Sequence, residues 1–404
     1  MENLLTVPIN DHLYYIGVND RDTELFEAMW PLPDGVAYNS YLMTGEKNIL
    51  LDLVKVNTVS NFIAKLQEVL GDKPLDYIVV HHAEPDHSSA ILNILEIYPE
   101  AKIICNKKTV DFLENYYDIK ENLIIVKDGE TLEIGNRKLT FYMTPMVHWP
   151  ESMVSYEEET KTLFSQDIFG GFGTLDGGIF DDELRFDDYY LDETRRYFIN
   201  IVGKYAKQAL RSLEKLATTL EIKTICPVHG PVWRKDPKRI LDLYISLSKQ
   251  EVQDGVVIIY GSMYGNTRKM AETVARGVIR GGIHDVRIRD VSKTPFSYLL
   301  ADAWKYKGVI LGSCSYNNDL FPPMKFITEE FKAQKMQNNI WGIFGSYSWS
   351  GGAMKNLKAF AEEAKCNLLE RQPEIKGAAN KEELAELMQL GEDMAKAILA
   401  SEIN

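Results

Sequence analysis

The chain has 404 residues, enough for two domains, with 45% hydrophobic residues and a formal charge of −14 at pH 7. That balance argues against non-specific nucleic-acid binding and against attraction to an anionic membrane surface. No run approaches the roughly 20 apolar residues of a membrane helix, and the opening MENLLTVPIN lacks the basic and apolar regions of a signal peptide.

In chain order, short strands are predicted at 13–18, 48–52, 77–80, 102–105 and 139–142, with helical patterns at 59–70 and 90–98. This mixture predicts an α/β sandwich with helices outside and sheets inside. A longer helix is expected over roughly 191–220. The polar join at 250–255 marks a boundary at about residue 252, giving domains 1–251 and 252–404. Beyond it, apolar strands at 256–260, 308–311 and 340–344 alternate with loops and helices, the pattern of a doubly wound parallel sheet. A last helix is expected from 381 to 399. Cys105, Cys226, Cys314 and Cys366 form no CxxC pair; they read as buried thiols in a reducing cytoplasm.

Five of the seven histidines stand at strand ends: His81, His82, His87, His148 and His229. His12 and His284 are isolated and read as structural. In HHAEPDHSS, residues 81–89, side chains two apart along an extended backbone face the same way, so His82, Glu84 and Asp86 can share a cavity. Pro85 forces a loop, His87 turns in beside them, and Ser88 or Ser89 is expected to cap the helix starting at Ala90. His148, Asp167 and His229 each follow an apolar strand. Burying so many ionisable groups at one sheet edge is costly unless a cation pairs them.

Ser262, Met263, Tyr264, Gly265, Asn266 and Thr267 lie between a strand and a predicted helix, 268–280. Amides, hydroxyls and the helix dipole there suit a phosphate. Two later loops end strands of the same sheet. One carries Ser313, Cys314, Tyr316, Asn317 and Asn318; the other carries Ser346, Tyr347, Trp349, Gly351 and Gly352. Their aromatic rings and amides can sandwich a flat ring at the carboxyl ends of the strands. Cys314 reads as packing.

The spacing His-x-Glu-x-Asp-His, followed by His148, Asp167 and His229, resembles the metallo-β-lactamase-like domain of the flavodiiron proteins, and the three later loops resemble a short-chain flavodoxin. The flanking stretches at 35–42 and 229–234 match as well. Relatives that hydrolyse with zinc usually carry a second histidine where this chain has Glu84; a mixed nitrogen and oxygen set without sulfur suits iron. The resemblance implies an N-terminal αββα sandwich, a C-terminal flavodoxin-like sheet, FMN and two non-haem irons. One iron would take His82, Glu84 and His148, the other Asp86, His87 and His229, with Asp167 bridging. The family leaves His87 open, and His81 is unassigned. It further implies reduction of dioxygen to water or of nitric oxide to nitrous oxide, with dioxygen favoured on family grounds alone. A head-to-tail homodimer, or a dimer of dimers, would bring the FMN of one subunit to the irons of the other. With no CxxC rubredoxin module in the sequence, electrons are expected from an external donor, rubredoxin or a reduced deazaflavin. The alternatives are a zinc hydrolase fused to a flavodoxin, and an electron carrier with a docking scaffold.

Overall fold

The computed structural model describes residues 4–401. They divide into two compact units, one running to Lys249 and one starting at Gln250.

The first unit holds a seven-stranded and a five-stranded sheet. In the seven-stranded sheet, Ile49–Leu51, Tyr77–Val79, Lys102–Asn106 and Leu123–Val126 run parallel. Helices Val59–Leu70 and Lys107–Tyr117 turn Phe62, Leu66, Leu70 and Leu113 inward. The two sheets meet through Tyr41, whose hydroxyl donates to the Pro227 carbonyl at 2.6 Å and whose ring lies 5.8 Å from that of Phe164. Strands Met153–Glu157 and Thr162–Gln166 are buried at every residue, as strands between two covered faces must be. The result is the helix–sheet–sheet–helix sandwich expected from the sequence.

One edge of this sandwich collects five of the seven histidines, and strand direction explains why. Arg137–Met143 is antiparallel to Met153–Glu157, which is antiparallel to Thr162–Gln166, which is parallel to Thr224–Pro227. The first, third and fourth of these therefore point the same way. The loops that leave their carboxyl ends carry His148, Asp167 and His229. The loop after Tyr77–Val79 in the other sheet arrives at the same edge, where the Met153 amide donates to the His81 carbonyl at 3.0 Å.

Three local expectations are corrected. Residues 82–90 are not extended; the strand ends at Val79, and the chain folds through turns before helix Ile91–Ile97. His82, Glu84 and Asp86 thus converge by turning rather than by strand alternation. Neither serine caps that helix: the Ser88 hydroxyl donates to the Ala83 and Glu84 carbonyls, and Ser89 accepts from the Val56 amide. The helix expected over 191–220 is also interrupted. Leu191–Tyr197 widens into a π turn, Phe198–Val202, tightens at Gly203–Tyr205 and resumes as Ala206–Thr219. The wide turn lets Tyr197, Phe198, Ile199, Ile201 and Val202 all be buried.

In the second unit, Val286–Asp290, Gln253–Gly261, Tyr306–Tyr316, Ile340–Tyr347 and Asn367–Leu368 form a sheet in that order, all pairs parallel. The order reverses beside the first strand of the unit, and ligands of such sheets sit at that switch point. Helices Asn266–Arg280 and Lys381–Ala400 cross in close contact. A Cβ on Gly277 would lie 2.0 Å from the Met388 carbonyl oxygen, and one on Gly391 would lie 2.1 Å from that of Val274. Only glycine permits this approach. Asn380 and Glu383 close a capping box at the start of the last helix.

Candidate metal centre and cofactor cleft

The loops described above bring all seven of the sequence-predicted residues together. His82, Glu84, His87 and Asp167 offer ligand atoms within 4.8 Å of one another, as do Asp86, His87 and His229. Asp167 sits between the two groups. Its Oδ2 lies 3.4 Å from His82 Nε2, 3.6 Å from His87 Nε2 and 3.7 Å from His148 Nε2, and its Oδ1 lies 3.5 Å from His229 Nε2. Glu84 Oε2 lies 2.8 Å from His148 Nε2 and 3.3 Å from His82 Nε2. Asp86 faces His229 Nε2 at 3.2 Å and His87 Nε2 at 3.5 Å.

The inner atoms of this cluster are buried without hydrogen-bond partners: His82 Nε2, both oxygens of Asp86, both ring nitrogens of His87, Asp167 Oδ2 and His229 Nε2. An unpaired buried polar group costs about 1–3 kcal/mol, so a whole cluster of them is not a plain structural solution. Divalent cations would satisfy the nitrogens and oxygens that face one another here, including Nε2 but not Nδ1 of His87, and the donor set, imidazole and carboxylate without thiolate, fits iron.

Outer contacts fix the rings. His82 Nδ1 meets Glu151 Oε1 at 2.6 Å. His229 Nδ1 lies 2.8 Å from the Ala37 carbonyl oxygen, so it carries the proton and leaves Nε2 as a lone pair facing inward. The Tyr197 hydroxyl donates to Asp167 Oδ1 at 2.8 Å. His81 has its own partners, Asp52 at 2.7 Å and Ser155 at 2.7 Å, and takes no part in the cluster. Sequence reasoning missed Glu151, Tyr197 and Glu27. Glu151 had a faint signal, an acid three residues after His148; Tyr197 reads as one more core aromatic.

Without a cation, charge balance falls on protons. Burial opposes the charged forms of His82, His87, His148, Glu84 and Asp167, but in these five the opposite charges and hydrogen bonds outweigh it. His82 is held well above the ordinary histidine value by Glu151 and Glu84, and His148 is raised by Glu84 and Asp167. His87 is raised to about 9 by Asp86 and Asp167. Glu84 and Asp167 are held below the usual carboxylate range by the surrounding imidazoles. Glu27, beside Glu84 and His148, goes the other way: burial and the Glu84 charge raise it to about 7. The Glu27 residue as a whole is exposed, but its carboxylate leans inward.

In the second unit, Ser262, Met263, Tyr264, Asn266, Thr267, Cys314, Ser346 and Tyr347 line one cleft, together with Ser315, Ser348 and Gly377, which the sequence did not single out. Ser262 Oγ accepts from the Gly265 amide at 3.0 Å, and Gly265 takes φ +94° to open helix Asn266–Arg280 onto the cleft. Thr267 and Ser346 hydroxyls meet at 3.0 Å across it. Tyr264 and Trp349 are 94% and 88% exposed, which rules out core packing for either; Tyr316 is also exposed. Asn317 and Asn318 take positive φ in the turn to strand Asp319–Leu320. Gly352 is a packing glycine, its Cβ position 2.2 Å from Asn318 backbone atoms, and Gly351 stands beside the Glu374 carboxylate. The Ser313 hydroxyl is turned into the fold, bonded to the Cys314 carbonyl and the Phe321 amide. Hydroxyls and a helix start at one end and exposed flat rings nearby fit a phosphate-bearing aromatic cofactor.

A separate cavity of about 500 Å³ in the first unit is lined by residues including Arg21, Asp176, Arg185 and Tyr190 and by none of the seven cluster residues. Among the described residues, no helix is long and apolar enough to cross a membrane.

Residues 36–230 match the model of the ODP family beta lactamase, and residues 258–391 match that of flavodoxin. A nitric oxide reductase of Moorella thermoacetica is 32% identical over 401 residues, covering 97% of this chain and 98% of the relative. An anaerobic nitric oxide reductase flavorubredoxin of Shigella flexneri is 32% identical over 365 residues, 89% of this chain and 76% of the relative. Among solved structures, the rubredoxin oxygen:oxidoreductase of Desulfovibrio gigas superposes with a TM-score of 0.93 at 30% identity, covering 98% of this chain and 100% of the other. The flavodiiron protein of Giardia intestinalis gives a TM-score of 0.93 at 26% identity, with 99% and 98% covered.

Proposed function

The chain belongs to the flavodiiron family, and from that premise we propose how its residues divide the work. It is a flavin- and diiron-dependent oxidoreductase acting on dioxygen or nitric oxide. We assign His82, Glu84 and His148 to one iron, Asp86, His87 and His229 to the other, and Asp167 to both. The observation that carries this assignment is the set of buried, partnerless nitrogen and oxygen atoms facing one another around Asp167. We place His87 with the ligands because it is fully buried, its ring nitrogens lack hydrogen-bond partners, and its Nε2 faces Asp86 and Asp167. FMN belongs to residues 252–404, in the cleft between the loops carrying Ser262, Cys314 and Ser346, and the metals belong to residues 1–251.

Iron held by these residues would supply one-electron reduction of a diatomic gas, and FMN bound in the cleft would pass electrons from the donor one at a time. The protein's own groups set the conditions. Glu151 and the Ala37 carbonyl hold two imidazoles with Nε2 inward. Tyr197 holds Asp167 by donating its hydroxyl to Oδ1, the two oxygens 2.8 Å apart. Trp149, its ring 5.0 Å from that of His82, and Phe26, 5.5 Å from that of His229, wall the site with aromatic surface that excludes water. Reduction of dioxygen to water, or of nitric oxide to nitrous oxide, consumes protons as well as electrons.

The finer assignments follow the family. The working unit is a head-to-tail homodimer, or a dimer of dimers, in which the flavin of one protomer serves the irons of its partner. Electrons come from a separate donor, rubredoxin or a reduced deazaflavin. The unpaired cysteines, three of them buried, suit a reducing cytoplasm. The test is metal and flavin analysis followed by anaerobic gas uptake. Iron with FMN and consumption of dioxygen or nitric oxide supports the reading; zinc with hydrolysis of an ester overturns it.

A further inference from the structure

Glu27 stands outside the seven-residue set, yet its carboxylate lies within 4.8 Å of ligand atoms of Glu84 and His148, a third grouping able to hold a cation. The hairpin that carries it is built to aim it. Strands Leu25–Phe26 and Trp30–Pro31 pair antiparallel, and the turn between them places Glu27 and Ala28 at φ +48° and +58°. Phe26 pins the hairpin to the site, its ring 5.5 Å from that of His229 and 5.4 Å from that of Phe172. The Trp30 indole donates to Glu27 Oε2 at 2.7 Å and anchors the carboxylate. Glu84 Oε2, which His148 Nε2 meets at 2.8 Å, also has His82 Nε2 3.3 Å away, fully buried and without a hydrogen bond. The Glu84 carboxylate therefore faces two histidines and a second carboxylate. Two carboxylates side by side repel unless a proton or a cation stands between them.

We propose that Glu27 is an additional, exchangeable carboxylate ligand for the metal held by Glu84 and His148, entering from the solvent side at the position where a small anion or gas would bind. This rests on the diiron reading above. Glu27 differs from the seven in exposure: they come from loops fixed at the sheet edge, whereas it comes from a turn at the surface. A hard oxygen ligand on such a turn competes with small ligands instead of closing the site permanently.

The experiment compares the wild-type chain with Glu27→Ala and Glu27→Gln, each loaded with ferrous iron and, separately, with cobalt(II), and titrated with azide. Metal content is measured first. The expected result is retention of metal in all three, azide binding tighter by about tenfold or more in both variants, and a change in the visible cobalt spectrum that marks a lower coordination number. Metal-loaded variants with wild-type azide affinity and an unchanged spectrum overturn the inference and leave the diiron reading standing. A wild-type chain that binds no metal overturns both.

Discussion

Glu151 holds His82 by its outer nitrogen: the carboxylate Oε1 lies 2.6 Å from Nδ1, both residues are buried, and the ring's Nε2 is thereby turned toward Asp167. The Ala83 amide donates to the same carboxylate oxygen at 3.2 Å, and the Asn106 amide group donates to the Glu151 backbone carbonyl. The second carboxylate oxygen is buried without a partner.

Glu151→Ala should therefore weaken metal binding by roughly 10- to 100-fold, the usual effect of losing a group that orients a metal-binding histidine. Glu151→Gln keeps an acceptor oxygen and should lose less. Competition with a calibrated chelator measures this, and FMN content should be the same in both variants. Equal metal affinity for Glu151→Ala and wild type would contradict the orienting role.

The chelated protein should show a stability optimum in mildly acid solution. Protonated His87 titrates at about 9 in the native chain against about 6.5 when unfolded. A raised value means the native state binds more protons, so this contribution is complete below about pH 6.5 and fades as the pH climbs toward the native value. His82 and His148 are raised and act in the same direction. Glu84 and Asp167 are lowered; their contribution is present above the unfolded carboxylate value near 4 and is lost in stronger acid. Melting temperature should thus fall as the pH rises across the neutral range with a chelator present. With ferrous iron bound the fall should be much smaller, because metal takes the place of the protons. Parallel curves with and without iron would contradict the account.

Trp349→Ala should leave the flavin-free protein as stable as wild type, since the side chain is 88% exposed. It should weaken FMN binding by about tenfold or more if the indole stacks on the ring, since base–aromatic stacking is worth about 1–3 kcal/mol. Flavin fluorescence titration of the deflavinated chain reads this. Unchanged affinity would remove Trp349 from the flavin site.

Much of this architecture is written in local sequence. Helix Val59–Leu70 and the start of the helix Lys381–Ala400 fall where the pattern puts them, because apolar spacing and caps are local signals. The seven clustered residues are legible because ionisable groups directly after apolar strands have no structural reason to be there. Their convergence is another matter. It depends on Arg137–Met143, Thr162–Gln166 and Thr224–Pro227 pointing the same way, which no short window records. Strand alternation gave the right neighbours in 82–86 for the wrong reason, since the strand stops at Val79 and Ser88 is bonded back to Ala83 and Glu84 instead of capping a helix. Glu27 and Tyr197 were illegible because each reaches the site from a distant hairpin or helix through tertiary packing alone. Ser313 accepts from the Phe321 amide and Gly352 packs against the Asn318 backbone, contacts that no sequence pattern records.

The most direct test of the central claim pairs metal analysis with gas uptake in wild type, Asp167→Ala and His148→Ala. Wild type should carry iron and FMN and consume dioxygen or nitric oxide when given a reduced flavin. Both variants should keep FMN, since those residues belong to the first unit, and lose gas consumption together with iron. Full gas consumption by either variant, or a wild-type protein that takes up flavin but no iron, would contradict it.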